Sequence, residues 1–289
     1  MPSTQALKSR IRSVKNTKQI TKAMELVAAS KMRRAQEATK ASAPYTLAAR
    51  QMLTTLSRRL SVQEHPLFVK RPVKTRLMIV VASDKGLAGA YNHNIIKLYT
   101  KQLQDDDKAG IKNTTITIGR RASQFVARLK DTEVLGAYED LPDRPGGREL
   151  HAILDSAKSL FEDGAVDAVD VLYTDFISSI NQEAKMIRVL PAGFEPAVEP
   201  GGPRDVVYEP SVHRVLDGIA YRLVGAQIFQ ALLDSRASEH SMRMMAMKNA
   251  TDNASDLIED LTLAMNKARQ AAITQELAEI SGGVEAISE

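Results

Sequence analysis

The sequence predicts an α/β protein: two long terminal helices forming an antiparallel coiled coil, plus a central Rossmann-like α/β domain. Three observations predict it. Residues 3–57 contain one proline, Pro44, and no glycine. No proline follows Pro210, and Gly218 and Gly225 are the only glycines between it and Gly282. Between these stretches short apolar runs alternate with helical patterns, as in a largely parallel sheet. The expected domains are 1–60, a coiled-coil helix; 73–192, the α/β domain; and 207–286, a second helix that pairs with the first as one shaft.

Ser3 or Thr4 can cap the first helix. Leu7, Ile11 and Val14 are spaced four and three apart, and Ile20, Met24, Val27, Ala28, Met32, Ala35 and Ala38 continue the stripe after a drift. A straight helix of this length would run ~80 Å. Pro44 is expected to kink or interrupt it.

In the middle, Leu77–Val81 is a five-residue apolar run and reads as a buried strand. Asn94–Gln104 reads as a helix, Thr114–Ile118 as a strand and Arg120–Lys130 as a helix. Glu133–Leu135 is a short strand and Glu149–Phe161 a helix. Val166–Thr174 and Lys185–Leu190 read as strands paired across Ser178–Asn181. Stretches rich in Pro and Gly at 64–72, 141–147 and 191–203 bound or interrupt the domain.

At the C-terminal end, steps of four and three from Val212 land on Leu216, Ile219, Leu223, Ala226, Gln230, Leu233, Ala237, His240, Met244, Met247, Thr251, Ala254, Ile258, Leu261, Met265, Ala268 and Ala272. Only Gln230, His240 and Thr251 are polar. A heptad seam held this long predicts a coiled coil. Met242 and Met245 fall off the seam, where they can face a partner as well as a core.

Composition excludes several function classes. The chain has 289 residues and no cysteine, so disulfides, thiolate metal sites and cysteine nucleophiles are excluded. Aromatic residues are only 4% of the chain, few for the walls of a deep pocket. No apolar run is long enough for a membrane span. The opening residues MPSTQALKSR lack the apolar stretch of a secretory signal, so a cytoplasmic location is expected. Net charge is +4, unevenly spread. Residues 1–60 carry 13 Lys or Arg against 2 acids, whereas residues 205–289 carry 7 against 13. Either the two ends attract each other, or the basic end meets an acidic partner.

Motifs for chemistry are sparse. Ser83–Asn92 follows a buried strand and precedes a helix, where α/β folds bind ligands. It matches neither GxGxxG nor GxxxxGK followed by Ser or Thr, and Lys85 precedes Gly86 instead of following the glycines. It therefore reads as a strand-to-helix turn. The histidines 65, 93, 151, 213 and 240 show neither HxxxH nor HExxH spacing, and no GxSxG occurs. Asp105–Asp107 reads as a solvated helix end. No catalytic residue, cofactor site or metal site is expected. Lys8, Arg10, Arg12, Lys15, Lys18 and Lys22 could meet nucleic acid, but no aromatic residue lies among them to stack on bases. A helix face docking acidic protein loops accounts for them equally well.

Residues 10–36, RIRSVKNTKQITKAMELVAASKMRRAQ, and 238–283, which include NKARQAAITQELAEI, resemble the gamma subunit of F-type ATP synthases. SDKGLAGAYN at 83–92 is a third match, and the resemblance runs through the whole chain in order. It implies a central rotor shaft, non-catalytic by itself. Such a shaft stands in a ring of alpha and beta subunits and contacts epsilon and the c-subunit ring, coupling proton-driven rotation to nucleotide affinity at sites on beta. It implies no nucleic acid, and a membrane met only through the complex.

By the same resemblance Lys22 and Met24 meet an acidic loop of beta, Arg243, Arg269, Gln270 and Thr274 meet beta near the same region, and Glu279 joins them. Tyr208 matches the foot near the c ring. The family often has cysteine at the position of Ala88, and chloroplast members carry a dithiol switch that a cysteine-free chain cannot operate. Ser241-Met242 precedes Arg243 where the family commonly has Ala. The lack of transit and dithiol segments points to a bacterial enzyme, at the cytoplasmic face of the plasma (inner) membrane. An independent α/β enzyme with coiled-coil arms and a basic nucleic-acid binder are the competing classes. ATPase activity of the isolated chain would favour the first, and salt-sensitive DNA or RNA binding the second.

Overall fold

The computed structural model describes residues 4–57, 65–129, 132–142, 147–192, 209 and 212–288. Five helices and five strands follow in chain order: α1 Thr4–Ser57, β1 Thr75–Val81, α2 Tyr91–Ala109, β2 Lys112–Ile118, α3 Arg120–Val126, β3 Glu133–Tyr138, α4 Gly147–Glu162, β4 Ala168–Phe176, β5 Gln182–Leu190 and α5 Val212–Ser288. A 3₁₀ turn at Pro66–Phe68 precedes β1. The chain forms two compact units. One joins residues up to Ala28 with those from Arg243 onward, and the other holds Ala29–Met242. Both unit boundaries fall inside the long helices. α1 continues through Pro44, so the proline does not interrupt the helix.

In the larger unit the sheet order is β3-β2-β1-β4-β5. β1, β2, β3 and β4 are parallel, and β5 runs antiparallel to β4 at the edge. The β4–β5 turn is closed by the Ser178 N–H donating to the Asn181 carbonyl (2.9 Å). β1 is buried on both faces, which is why its sequence is a continuous apolar run and not an alternation. Side chains of successive residues point to opposite faces. Leu77, Ile79 and Val81 therefore share one core with Ile153, Ala157 and Phe161 of α4 and with Leu216, Ala220, Leu223, Val224, Ile228 and Leu232 of α5. Met78, Val80 and Leu172 share the other with Ile95 and Tyr99 of α2 and Ala122 and Val126 of α3.

The first half of α5 is thus a core helix of the α/β unit and does not follow the expected heptad seam. Leu216, Leu223, Ala226, Leu233, Ala237 and His240 of that seam are buried, but so are Ala220, Val224, Ile228, Ala231 and Leu232 off it. The burial covers too much of the circumference for one coiled-coil stripe.

Aspartate 106 also departs from expectation. Asp105 and Asp107 are exposed, but Asp106 is 2% exposed. Its Oδ1 accepts a hydrogen bond from Arg76 Nη2 (3.1 Å), and the ion pair from Arg76 Nε to Oδ2 measures 2.8 Å. Arg76 also pairs with Asp170 of β4, whose other partner is Arg188 of β5. Ionised groups persist in an interior only when paired in this way.

Asp234 of α5 is half-buried. Gln230 donates to both its oxygens (3.1 and 3.3 Å), and Thr39 of α1 reaches Oδ1 at 3.5 Å. Burial, followed by the nearby Asp175 charge, pushes its carboxyl up to about 6. A carboxyl raised in the fold contributes stability that is complete below its unfolded value near 4 and is lost as pH rises through about 6. Asp234→Asn is therefore expected to stabilise the protein at pH 7–8, by on the order of 1–2 kcal/mol after allowing for partial exposure, and to be neutral near pH 4. Urea denaturation across that range measures it.

Gly119 has φ +94°, and a Cβ there would lie 2.2 Å from the Ala82 carbonyl oxygen. Gly110, at φ +70°, has open space around its Cβ position. Gly110→Ala is expected to cost about 1–2 kcal/mol from the backbone alone, and Gly119→Ala several kcal/mol. Thermal unfolding of the two variants ranks them.

Candidate functional site

Two regions qualify. One is the surface of the smaller unit, where the expected partner-binding residues lie. The other is the C-terminal edge of the sheet, where a doubly wound fold would hold a ligand.

In the smaller unit α1 and α5 run antiparallel. Leu7, Ile11 and Leu261 are buried together, with Val14, Ile258, Met265 and Ala268 against them. Thr21 and Thr251 are both buried, their hydroxyls 2.8 Å apart, and Thr251 also reaches the Met247 carbonyl of its own helix (2.8 Å). From there the seam continues through Met247 and Ala254. Thr21, not Ile20, faces it. Ile20 is 60% exposed and Val27 57% exposed, so these two expected seam residues stand on the surface. Of the methionine group, Met247 is buried, and Met242, Met244 and Met245 are half-buried.

The expected partner-binding residues lie on both helices. Lys22 is exposed and pairs with Glu25 (3.0 Å), and Met24 is half-buried. Arg243 is half-buried, while Arg269, Gln270 and Thr274 are exposed. The Thr274 hydroxyl donates to the Gln270 carbonyl (2.9 Å). Glu279 lies on α5, and Tyr208 lies outside the described residues. The Thr21–Thr251 register brings Arg243 to within about five residues, ~8 Å, of the level of Met24. Gln270 lies about 22 residues, ~33 Å, from that level. These positions therefore form two separate groups. From Arg269 to Ala278 every residue of α5 is exposed.

At the sheet edge, Ser83–Asn92 is locked by its own side chains. The Ser83 N–H donates to Asn92 Oδ1 (3.0 Å), and Asn92 Nδ2 donates to Ser83 Oγ (2.8 Å). Asp84 Oδ1 accepts the backbone N–H groups of Arg120 and Asp140, both at 3.0 Å. The strand order reverses between β1 and β4, and α5 fills the crevice there. Ser235 Oγ bonds the buried Tyr91 hydroxyl (2.7 Å) and accepts the Thr174 N–H of β4 (3.3 Å). Ser238 Oγ donates to the Thr174 carbonyl (3.1 Å). Arg236 donates to the Leu141 carbonyl (3.1 Å) and lies 3.7 Å from Asp84 and 3.3 Å from Glu239. Ser241 Oγ donates to the Ser179 carbonyl (2.8 Å) and accepts from Gln182 Nε2 (3.2 Å).

None of these serines stood out in the sequence, because small polar residues on a long helix read as surface. Their spacing of three and three was the available signal. A cavity of about 780 Å³ opens at the opposite, N-terminal edge, lined by Thr75, Lys112, Thr132, Glu133, Leu160 and Val166 among others.

A family model described as ATP synthase matches residues 3–287. The chain is 41% identical to the ATP synthase gamma chain of Opitutus terrae, with 97% of each chain covered. It is 39% identical to that of Ralstonia nicotianae, covering 99% of this chain and 100% of the relative. The fold is shared with the rotor of the Euglena gracilis mitochondrial ATP synthase (TM-score 0.66, 15% identity, 93% and 98% covered). It is also shared with a chain of the central stalk and c-ring of the Tetrahymena thermophila mitochondrial enzyme (TM-score 0.63, 24% identity, 80% and 99% covered). Fold and site thus describe a helical-hairpin subunit whose α/β crevice is closed by its own chain. The chain belongs to the ATP synthase gamma chain family.

The Thr21–Thr251 bond is a polar pair within an apolar seam and pins its register. A double-mutant cycle with Thr21→Val and Thr251→Val is expected to return a coupling of about 0.5–1.5 kcal/mol in chemical denaturation. A coupling near zero would show that each hydroxyl is satisfied by its own helix.

Proposed function

We propose that this chain is the central rotor shaft of an F-type ATP synthase, turned by a proton-driven c ring and driving conformational change at catalytic sites on beta subunits. The observation that carries this reading is the occupied crevice, considered with the full-length family match. Where a doubly wound domain would admit a substrate, Ser235 and Ser238 of α5 already bond Tyr91 and Thr174. The chain's part is then mechanical, and its chemistry lies in its partners.

The surface of the smaller unit suits that part. A shaft must present different contacts to successive partners, because a state changes only when its interaction free energy differs from that of its alternatives. Lys22 and Met24 with Arg243, and Arg269 with Gln270, Thr274 and Glu279, are two groups of contacts for the alpha and beta subunits. Tyr208 belongs to a foot near epsilon and the c ring. Among the described residues no helix is long and apolar enough to cross a membrane. The chain reaches the cytoplasmic face of the bacterial plasma membrane through its partners.

Reconstitution with alpha and beta subunits, with a bead on the α/β domain, tests the proposal. ATP-driven rotation is expected, with negligible hydrolysis by this chain alone. Failure to join the head, or hydrolysis by the isolated chain, would overturn it. Arg269 is exposed, so Arg269→Glu is expected to leave the unfolding temperature unchanged while lowering coupled ATP synthesis by roughly tenfold, the loss of one charge-assisted contact.

A further inference from the structure

We infer that Ser235, Arg236, Ser238 and Ser241 form a torsional key that fixes the rotational setting of α5 in the α/β unit, so that turning the domain turns the helix without slip. The inference rests on the rotor reading above.

All four are attached to the C-terminal edge of the sheet, each to a different place or atom. Ser235 bonds the start of α2 and the Thr174 N–H, while Ser238 bonds the Thr174 carbonyl. Arg236 reaches the carbonyl of Leu141 beyond β3 and the Asp84 carboxylate beyond β1. Ser241 bonds the β4–β5 turn at Ser179 and Gln182. At 3.6 residues per turn these four residues spread over about 220° of the helix circumference. Ala237 to Ser241 are buried without interruption. The helix is gripped round more than half its girth, and the gripping groups are polar.

That choice of groups has a mechanical meaning. Apolar contact is non-directional, so a helix in an apolar sleeve resists withdrawal more than rotation about its own axis. Hydrogen bonds weaken steeply when bent, and a buried donor or acceptor torn from its partner has no water to take. Bonds to fixed backbone atoms on several sides therefore oppose rotation in either sense. The apolar contacts of Leu223, Val224, Ile228 and Leu232 hold the same helix against the sheet one to three turns earlier and supply adhesion. These are positioning residues.

The chain has no cysteine, so Lys108→Cys on the exposed end of α2 gives a unique attachment point for a bead. In complexes with alpha and beta immobilised by the head and stalled without nucleotide, the angular variance of the bead reads the stiffness of the path from domain to head. Replacing Ser235, Ser238 and Ser241 together by Ala is expected to raise that variance at least about twofold, since directional bonds are lost while the apolar packing stays. ATP hydrolysis should stay within about twofold of the parent, and ATP synthesis should fall further than hydrolysis. Leu232→Ala is expected to lower the unfolding temperature without widening the variance.

Unchanged variance in the triple variant overturns the inference, as does an equal widening in Leu232→Ala. If the triple variant does not assemble, Ser241→Ala alone decides the matter, with a rise of about 1.3-fold expected and no rise overturning it. A parent complex that assembles and rotates keeps the rotor reading intact whichever way the variance falls. A parent that fails to assemble or rotate overturns both readings.

Discussion

Within the α/β unit, the burial of α5 on many sides between Ala231 and Ser241 is the constraint from which the rest follows. A helix enclosed in this way must be lined by small side chains, because its neighbours approach closely, and by groups that satisfy the polar ends of the strands beneath it. Ala231, Ala237, Ser235, Ser238 and Ser241 meet the first demand, and the three serines meet the second. The same helix closes the crevice that the strand order opens. Architecture and loss of a ligand site are therefore one event.

The charged interior at the other end of the sheet follows a different rule. Arg76, Asp106, Asp170 and Arg188 link the adjacent strands β1 and β4 to α2 and to the edge strand β5. Apolar side chains there would serve stability as well, since paired charges seldom return more than their desolvation cost. What the pairs add is direction. Each partner fixes the registry of a strand or helix that apolar contact would leave free to shift.

Much of this was legible in the sequence, and the reasons for the rest are local. The strands and short helices of the middle region were readable because a buried parallel strand and an amphipathic helix have distinct periods, as in Leu77–Val81 and the Glu149–Phe161 pattern. In the helical hairpin Ile20 and Val27 fit the seam by hydrophobicity but stand exposed. The true occupant, Thr21, hides its hydroxyl against Thr251. In the first half of α5 alanine-rich steps of three and four fit both a coiled-coil seam and one face of an enclosed helix. Only contact with the sheet distinguishes them. The serines at 235, 238 and 241 carried no chemical signature, since their function lies in what they touch.

Every residue of α5 from Arg269 to Ala278 is in an exposed position. An exposed helical stretch is held mainly by its own backbone bonds and weak side-chain pairs, and those are marginal in water over so few turns. Its opening free energy in the isolated chain must lie at the low end of the scale, far below that of the enclosed turns between Ala231 and Ser241. One continuous helix thus holds two kinetic populations of amide protons. Those from Arg269 to Ala278 are expected to trade with deuterium much faster than those beneath the sheet edge. A subunit that encloses the exposed end would bring the two populations together.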